Sequence, residues 1–241
     1  MNLLAIDSCS SILSVAVSTG DEIYCEETKT GAKHSDLVME LIDRQIKKAR
    51  LLPEDIDGVL CMGGPGSFTG LRIGYSIAKG LALSLSIPFA SVPTLDCMAF
   101  PCRDRALILA AIEARKNTFF YAFYRGDKPE PQTILSEDAQ ASRIALDIER
   151  YGEKITLTGT GAASLYDSFS PETKKNVELY FQNRNYSREI IAIAKMRKIM
   201  DNDNTAFLYS GPEYIRKTDA ELNFSLPIQQ RRHIKNCSEK A

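Results

Sequence analysis

The sequence predicts an α/β protein made of two copies of one β-β-β-α-β-α unit, each a mixed sheet that carries helices. At a shift of 106 positions, residues 3–21 align without a gap on residues 109–127, and at a shift of 96, residues 59–63 fall on residues 155–159. Both long stretches contain two apolar strand patterns, with an acidic residue at the first turn and a glycine at the second. Because the matches occur in the same order, they indicate a duplicated unit.

Helical patterns fill the intervals between the matched strands. In the first unit, helices are predicted over residues 34–50, where basic residues occupy the last turn, and over about 69–86. In the second unit, the corresponding helix is predicted over residues 137–151, and a later helix over roughly 187–201. Each unit therefore supplies helices to cover its own sheet.

A lobe boundary is predicted near residues 101–105, where a proline and charged residues interrupt the pattern. We therefore expect a first lobe over residues 1–104 and a second lobe over residues 105–218. Residues 219–241 lose periodicity and end in a basic, polar stretch, so they are predicted to form a flexible tail.

The composition limits the classes of partner. The chain has 241 residues, 44% of them hydrophobic, and a formal net charge of −1. This length supports a buried core, while the balanced charge argues against a protein that coats nucleic acid or an anionic membrane. No apolar run reaches the roughly 18 residues of a membrane-spanning helix, and the N-terminal segment lacks the basic start of a signal peptide. A cytoplasmic protein without a membrane partner is expected.

Cysteine and histidine usage predicts no metal site and no catalytic residue. The six cysteines form no CxxC pair, and the two histidines are His34 and His233. Several cysteines lie in apolar runs, where a thiol behaves as a small hydrophobic group. A metal-binding HxxxH motif beginning at His34 would need a second histidine where Val38 stands, and no Ser/His/Asp triad can be assembled.

The glycine-rich segment GGPGSFTGLRIG, residues 63–74, joins a predicted buried strand to a helix. Small residues with Ser67 or Thr69 as the helix N-cap are typical of an anion-binding turn, and equally of a tight structural turn. The segment is not a Walker A loop, since no Lys-Ser/Thr pair follows the glycines, and it lacks the flanking glycines of a nucleophile elbow. Both interpretations stay open at this point.

The helix over 69–86 is apolar on nearly all sides. A stripe of small residues recurs at a spacing of four, formed by Gly70, Gly74, Ala78 and Ala82. Such a helix is buried on more than one side, and small residues let a second helix approach closely. We therefore expect this stripe to be a partner surface, the alternative being a central helix of a larger core.

Two carboxylates mark a predicted cleft between the units. Asp7 and Glu113 hold equivalent places at the ends of the matched first strands, where carboxylates of a nucleotide site would hold Mg²⁺ or a water beside phosphates. The following turns, which begin with Ser8 in one case and contain Arg115 in the other, have no glycine to let the backbone approach a phosphate. Arg115 would put a long side chain where the phosphate oxygens should lie, although its charge could also hold an anion. The sequence thus predicts a degenerate nucleotide cleft.

Four segments of the chain resemble the TsaB (YeaZ) family. They are LLAIDSCSSILSVAV, KHSDLVMELI, the stretch from GVLCMGGPGSFTGLRIG to PTLDCMA, and GPEYIRKT. The resemblance is dense over residues 1–100, thin in the middle of the second half, and returns at residues 211–218. It implies the two-lobed actin/sugar-kinase/Hsp70-like fold, in agreement with the repeat. Glu113 departs from the aspartate common in the family, whereas Arg115 is retained.

The resemblance implies a non-catalytic subunit of the bacterial machinery that makes threonylcarbamoyladenosine in tRNA. Such chains bind the catalytic relative TsaD, or pair with themselves in its absence, and the ATPase TsaE joins the complex. The implied contacts lie on the helices over 35–50 and 69–86, no cofactor is implied, and tRNA contact is expected to be indirect or minor. The candidate partner-binding residues are Ser35, Asp36, Met39, Gly70, Leu71, Gly74, Tyr75, Ala78 and Ala82.

Two other functions are weighed against this one. A nucleotide-dependent enzyme of the same fold is suggested by Asp7, Glu113 and the glycine-rich segment. A peptidase is the weaker alternative, because no triad or metal site can be assembled from the residues present.

Overall fold

The computed structural model describes residues 1–10, 12–29, 34–115, 117–126, 132–180, 186–201 and 211–212. The predicted tail over 219–241, residues 213–218 of the segment GPEYIRKT, and the histidine and cysteine of the tail lie outside these residues. The side chains of Ser35 and Arg115 also lie outside the described part.

The first lobe is a five-stranded mixed sheet with two long helices on one face. In spatial order its strands are β3, β2, β1, β4 and β5, and the first three pair antiparallel while β1, β4 and β5 pair parallel. The strands are β1 (Leu3–Asp7), β2 (Ile12–Thr19), β3 (Glu22–Lys29), β4 (Gly58–Met62) and β5 (Phe89–Val92). The helices are α1 (His34–Lys48) and α2 (Phe68–Leu85), followed by a short α3 (Thr94–Ala99).

The second lobe repeats this order, which confirms the predicted duplication. Its strands lie in the order β8, β7, β6, β9 and β10, with the same parallel and antiparallel senses. The strands are β6 (Leu107–Arg115), β7 (Thr118–Arg125), β8 (Gln132–Gln140), β9 (Ile155–Thr158) and β10 (Val177–Leu179). The helices are α4 (Ala141–Tyr151), α5 (Ala162–Asp167), α6 (Pro171–Lys174) and α7 (Ser187–Met196).

Two predicted helix boundaries are wrong by a few residues. The helix expected from residue 137 begins at Ala141, because β8 continues to Gln140, which pairs with Thr118 of β7. The helix expected to reach residue 201 ends at Met196, and a single 3₁₀ turn follows at Ile199–Asp201. In both cases the helical sequence pattern extends beyond the α-helix itself. Residues 137–140 pair with β7, and residues 199–201 form a 3₁₀ turn.

The apolar core has three parts, and the part between the two sheets joins the lobes. One cluster lies under α1 and α2, and a second lies between α4, α5 and the second sheet. The third contains α3, α7 and residues of both sheets. Here α7 packs against β1, β2 and β4 of the first sheet, although chain order assigns it to the second lobe, while α3 packs against β6. Helix α3, from the first half of the chain, therefore packs on the second sheet, and helix α7, from the second half, packs on the first sheet.

Candidate functional site

The carboxylate of Asp7, the first of the predicted cleft residues, accepts hydrogen bonds from the chain itself. Its side chain lies at the end of β1 and is buried, with 1% of the residue exposed. One carboxylate oxygen accepts the backbone N–H of Cys9 at 3.1 Å, and the other accepts the backbone N–H of Tyr186 at 3.1 Å. Tyr186 is the N-cap of α7, where a negative charge is stabilised by the helix dipole. The geometry is that of a carboxylate that caps a helix.

Ser8 is likewise buried and engaged with α2. Its hydroxyl donates to the carbonyl oxygen of Gly70 at 2.8 Å. A Cβ atom at Gly70 would collide with the carbonyl oxygen of Ser8, and one at Gly74 would lie 2.6 Å from the Ser8 hydroxyl oxygen. The two glycines are therefore what allows the turn after β1 to lie directly on α2.

Several backbone donors of the glycine-rich segment form hydrogen bonds within the chain. Gly63 N–H donates to the carbonyl of Val92, and Gly64 N–H donates to the hydroxyl of Thr94, whose own N–H returns a bond to the Gly64 carbonyl. Further along, Ser67 N–H donates to the carbonyl of Cys9, and the Ser67 hydroxyl caps α2 by accepting from the N–H of its third residue. This arrangement favours the tight structural turn over an anion-binding turn.

Glu113 does not share the environment of Asp7. It is exposed near the end of β6, where a bulge between Glu113 and Arg115 shifts the pairing with β7. Among the described residues no three His, Cys, Asp or Glu side chains are grouped so that they would hold a metal ion. With Asp7 capping a helix, the residues of the cleft do not fit the Mg²⁺–phosphate chemistry of a nucleotide-cleaving enzyme.

Thiol chemistry is disfavoured by burial. Burial raises the pKa of Cys9, Cys61 and Cys97 well above the ordinary thiol value, since a thiolate would lose its hydration there. Cys102 is also buried and Cys25 is half-buried, in keeping with the prediction that the cysteines are structural.

The small-residue stripe of α2 faces the interior of the first lobe, which corrects the expectation that it is an open groove. The glycines lie on Ser8, and Tyr75 packs edge-on against Phe89 with ring centroids 5.5 Å apart. Because the stripe has only small side chains, the turn after β1 and the first sheet pack closely against it. A second helix therefore has no access to the stripe. The residues of the candidate set that are buried in this way are Gly70, Leu71, Gly74, Tyr75, Ala78 and Ala82.

The opposite face of α2 is the exposed one, and the sequence reasoning missed it. An open groove of about 430 Å³ runs along this face, and the guanidinium of Arg72 lies 3.8 Å from the ring centroid of Phe68. The signal in the sequence was the spacing of Phe68, Arg72 and Ser76 by four residues, opposite the small stripe. The groove residues are Phe68, Thr69, Arg72, Ile73, Ser76 and Ile77.

On α1, two of the expected contact residues are accessible. Asp36 is exposed in the first turn, and Met39 exposes 49% of its surface, which is unusual for a large apolar residue. Helices α1 and α2 contact one another over the same face of the first sheet. The structure therefore presents one continuous pair of helices to the outside.

Among the described residues no helix is long and apolar enough to cross a membrane.

Known proteins resemble the chain in sequence and in fold. A family model described as TsaD: tRNA N6-adenosine threonylcarbamoyltransferase matches residues 28–224. The TsaB protein of Escherichia coli is 30% identical over 170 residues, covering 67% of this chain and 72% of that protein. The TsaB protein of Haemophilus influenzae is 26% identical over 210 residues, covering 82% and 88%. Both relatives are described as tRNA threonylcarbamoyladenosine biosynthesis proteins.

A solved structure supports the same assignment at the level of the fold. YeaZ from Pseudomonas aeruginosa superposes with a TM-score of 0.75 at 20% identity, covering 88% of this chain and 99% of that one. Together with the duplicated sheets, this likeness confirms the predicted two-lobed α/β fold. Since the family model spans most of the chain and the relatives are TsaB proteins, the chain belongs to the family that this model describes and, within it, to TsaB, also called YeaZ.

Proposed function

We propose that this chain acts in the biosynthesis of threonylcarbamoyladenosine on tRNA as a non-catalytic subunit that binds TsaD. In this role it supports the transfer of the threonylcarbamoyl group to the adenosine beside the anticodon, in the cytoplasm and without a cofactor of its own. The observation that carries the proposal is the state of Asp7, whose two carboxylate oxygens accept backbone N–H groups of the same chain.

A catalytic role would need groups free to meet a substrate. A carboxylate that holds a metal ion or a water must direct an oxygen into the cleft, whereas Asp7 is buried and caps α7. Glu113 is exposed and lies at a bulge, so it does not complete a pair with Asp7. Burial raises the pKa of the Cys9, Cys61 and Cys97 thiols well above the ordinary value, which disfavours a thiolate nucleophile there. These features support an architectural role.

The exposed faces of α1 and α2 are the proposed TsaD-binding surface, defined here by Asp36 and Met39 together with the six groove residues of α2. Apolar and aromatic groups with an arginine, such as Phe68, Arg72 and Ile73, are the types that dominate binding energy at protein interfaces. TsaD is the proposed occupant because a family model described as the threonylcarbamoyltransferase matches residues 28–224 of this chain, which supports pairing of two related folds through their equivalent helices. The same surface would pair two copies of the chain when TsaD is absent.

The remaining partners follow from the same arrangement. TsaE is proposed to join the complex of this chain with TsaD, without a separate site on the cleft residues. A formal net charge of −1 gives this chain little attraction for a polyanion, so its own contact with tRNA is proposed to be indirect or minor.

Reconstitution tests the proposal directly. Threonylcarbamoyladenosine formation is measured on tRNA with TsaD, TsaE and the adenylate-forming enzyme, with and without this chain, and with its Asp7→Asn variant. Product that requires the chain and persists with folded Asp7→Asn is the expected result. The proposal fails if the chain neither changes product formation nor binds TsaD. ATP turnover by the isolated chain that disappears in Asp7→Asn would instead support the nucleotide-dependent enzyme.

A further inference from the structure

Asp96 stands at a junction of three elements that come from both halves of the chain. It lies in α3, and one of its carboxylate oxygens accepts the hydroxyl of Tyr124 in β7 at 2.8 Å. The other oxygen accepts the guanidinium of Arg197, the C-cap of α7, at 2.7 Å. The Asp96 side chain is 13% exposed and that of Arg197 is 26% exposed, so the ion pair is largely shielded from solvent. Such charge-assisted bonds are strong and directional.

The three elements do not all pack against the same sheet. Helix α3 packs against β6 of the second sheet, and Tyr124 belongs to that sheet as well. Helix α7 packs against the first sheet, to which Lys195 is bonded through the carbonyl of Gly20 at 2.8 Å. The hydroxyl of Ser187, at the other end of α7, lies 3.2 Å from the thiol sulfur of Cys25 in β3. Since α7 is attached to the first sheet at both ends, its bond to Asp96 connects that sheet to the second.

A change in the angle between the lobes would break this junction. Rotation of one sheet relative to the other separates α3 from α7, and a single carboxylate then cannot keep both Tyr124 and Arg197. The apolar cluster around α3 and α7 covers the same boundary, but apolar contacts are not directional and allow small sliding motions. The bonds of Asp96 are directional and hold one arrangement only.

We propose that Asp96 is a latch that holds the two lobes at one angle, so that the protein is a rigid platform without an opening and closing cycle. The latch consists of Asp96, Tyr124 and Arg197. It lies on α3, β7 and the end of α7, apart from the exposed faces of α1 and α2. The inference therefore holds whichever partner binds those helices.

Distance measurements between the lobes test the latch. Spin labels are placed at Ser84→Cys in α2 and Ser142→Cys in α4, both exposed, in a background with Cys25→Ser and Cys237→Ser. Pulsed dipolar spectroscopy of the full chain gives the distribution of the distance between the labels. One narrow distribution is expected for the parent protein. In Asp96→Ala the distribution should broaden and its mean should shift, while the matched control Asp104→Ala, which removes an exposed carboxylate of the same region, should match the parent.

A distribution in Asp96→Ala that matches the parent in mean and width would overturn the proposal. If Asp96→Ala does not fold, Arg197→Gln replaces it, because that change removes the charged partner of Asp96 on α7 at a position whose side chain is 26% exposed. Broadening in Arg197→Gln supports the latch, and an unchanged distribution in that variant rejects it.

Discussion

The carboxylate of Asp7 accepts a hydrogen bond from the backbone N–H of Tyr186, a residue 179 positions further along the chain. This bond joins the end of the first strand to the start of the last described α-helix, and it holds α7 on the first sheet. A residue that the sequence places in a nucleotide cleft thus stabilises the joint between the two halves of the chain. The Asp7 carboxylate therefore has a structural role in this fold.

Removal of the Asp7 side chain should destabilise the protein. Hydrogen bonds to a charged group contribute about 1.5–3 kcal/mol each, so loss of both bonds in Asp7→Ala is expected to lower the free energy of unfolding by roughly 3–6 kcal/mol. Asp7→Asn keeps one oxygen acceptor and should lose less. Urea denaturation followed by circular dichroism measures both, with Asp21→Ala at an exposed position as the control. Equal stability of Asp7→Ala and the parent would contradict the helix-capping role.

Gly70 and Gly74 should respond differently to a second change at Ser8. A Cβ at Gly74 meets only the Ser8 hydroxyl oxygen at 2.6 Å, whereas a Cβ at Gly70 meets the Ser8 backbone carbonyl. Gly74→Ala is therefore expected to cost about 1–3 kcal/mol of stability in the parent, and clearly less in a Ser8→Ala background. Gly70→Ala should cost the same in both backgrounds, because Ser8→Ala keeps the carbonyl.

This double-mutant cycle is measured by urea denaturation of the four Gly74/Ser8 combinations and the four Gly70/Ser8 combinations. An equal cost of Gly74→Ala with and without the Ser8 hydroxyl would show that this contact is not what excludes a side chain. A bulky residue at Gly74 should destabilise the chain itself, since Gly74 is buried against its own lobe.

Changes on the exposed face of α2 should weaken TsaD binding without unfolding the chain. Ile73→Asp puts a charge into the groove, and Phe68→Ala removes the ring under Arg72. If these are central contacts, each loses at least about 2 kcal/mol, which corresponds to a roughly 30-fold higher Kd. Isothermal titration with TsaD measures the effect. The matched control is Leu146→Asp, which adds a charge at an exposed leucine of α4 in the second lobe and should bind like the parent.

Two results would count against this surface. One is an unchanged Kd for both α2 variants, and the other is an equal loss of affinity in the α4 control. Thermal melts of each variant separate loss of binding from loss of folding, because the substituted residues are exposed or half-exposed.

The tie between α1 and β3 should make stability depend on pH in the acid range. Lys48 bonds to the carboxylate of Glu26 at 2.7 Å, Gln45 donates to it at 2.6 Å and Arg44 pairs with it at 2.9 Å. The Lys48 bond is the main cause that lowers the pKa of Glu26 below its ordinary value of 4.5. A lowered pKa in the folded state stabilises the protein above pH 4.5, and this contribution is lost as the pH falls through the lowered value.

Glu26→Gln removes the titrating group, so the variant should lose less stability than the parent between neutral pH and pH 3. Urea denaturation over that range provides the comparison. An identical pH dependence in both proteins would show that Glu26 does not contribute to it.

Much of the fold was accessible from local sequence patterns. The shift of 106 positions correctly relates β2, which begins at Ile12, to β7, which begins at Thr118. The predicted helix α2 was also confirmed, and of its two candidate N-caps, Ser67 and Thr69, the structure shows Ser67. Strand and helix periodicities report which residues are buried, and these patterns are properties of short segments. They could not place the end of β8, since pairing with Thr118 overrides the helical pattern near residue 137.

The sequence by itself determined that two equivalent α/β units exist, that one helix is apolar on nearly all sides, and that its glycines permit a close approach. Only the tertiary structure decided what makes that approach. Ser8 packs against the glycines of the stripe where a partner helix was expected. The backbone N–H of Tyr186 donates to the carboxylate of Asp7, which was expected to face a cleft. Periodicity records that a position is buried but carries no information on which distant segment buries it, because that choice is made by packing between residues far apart in the chain.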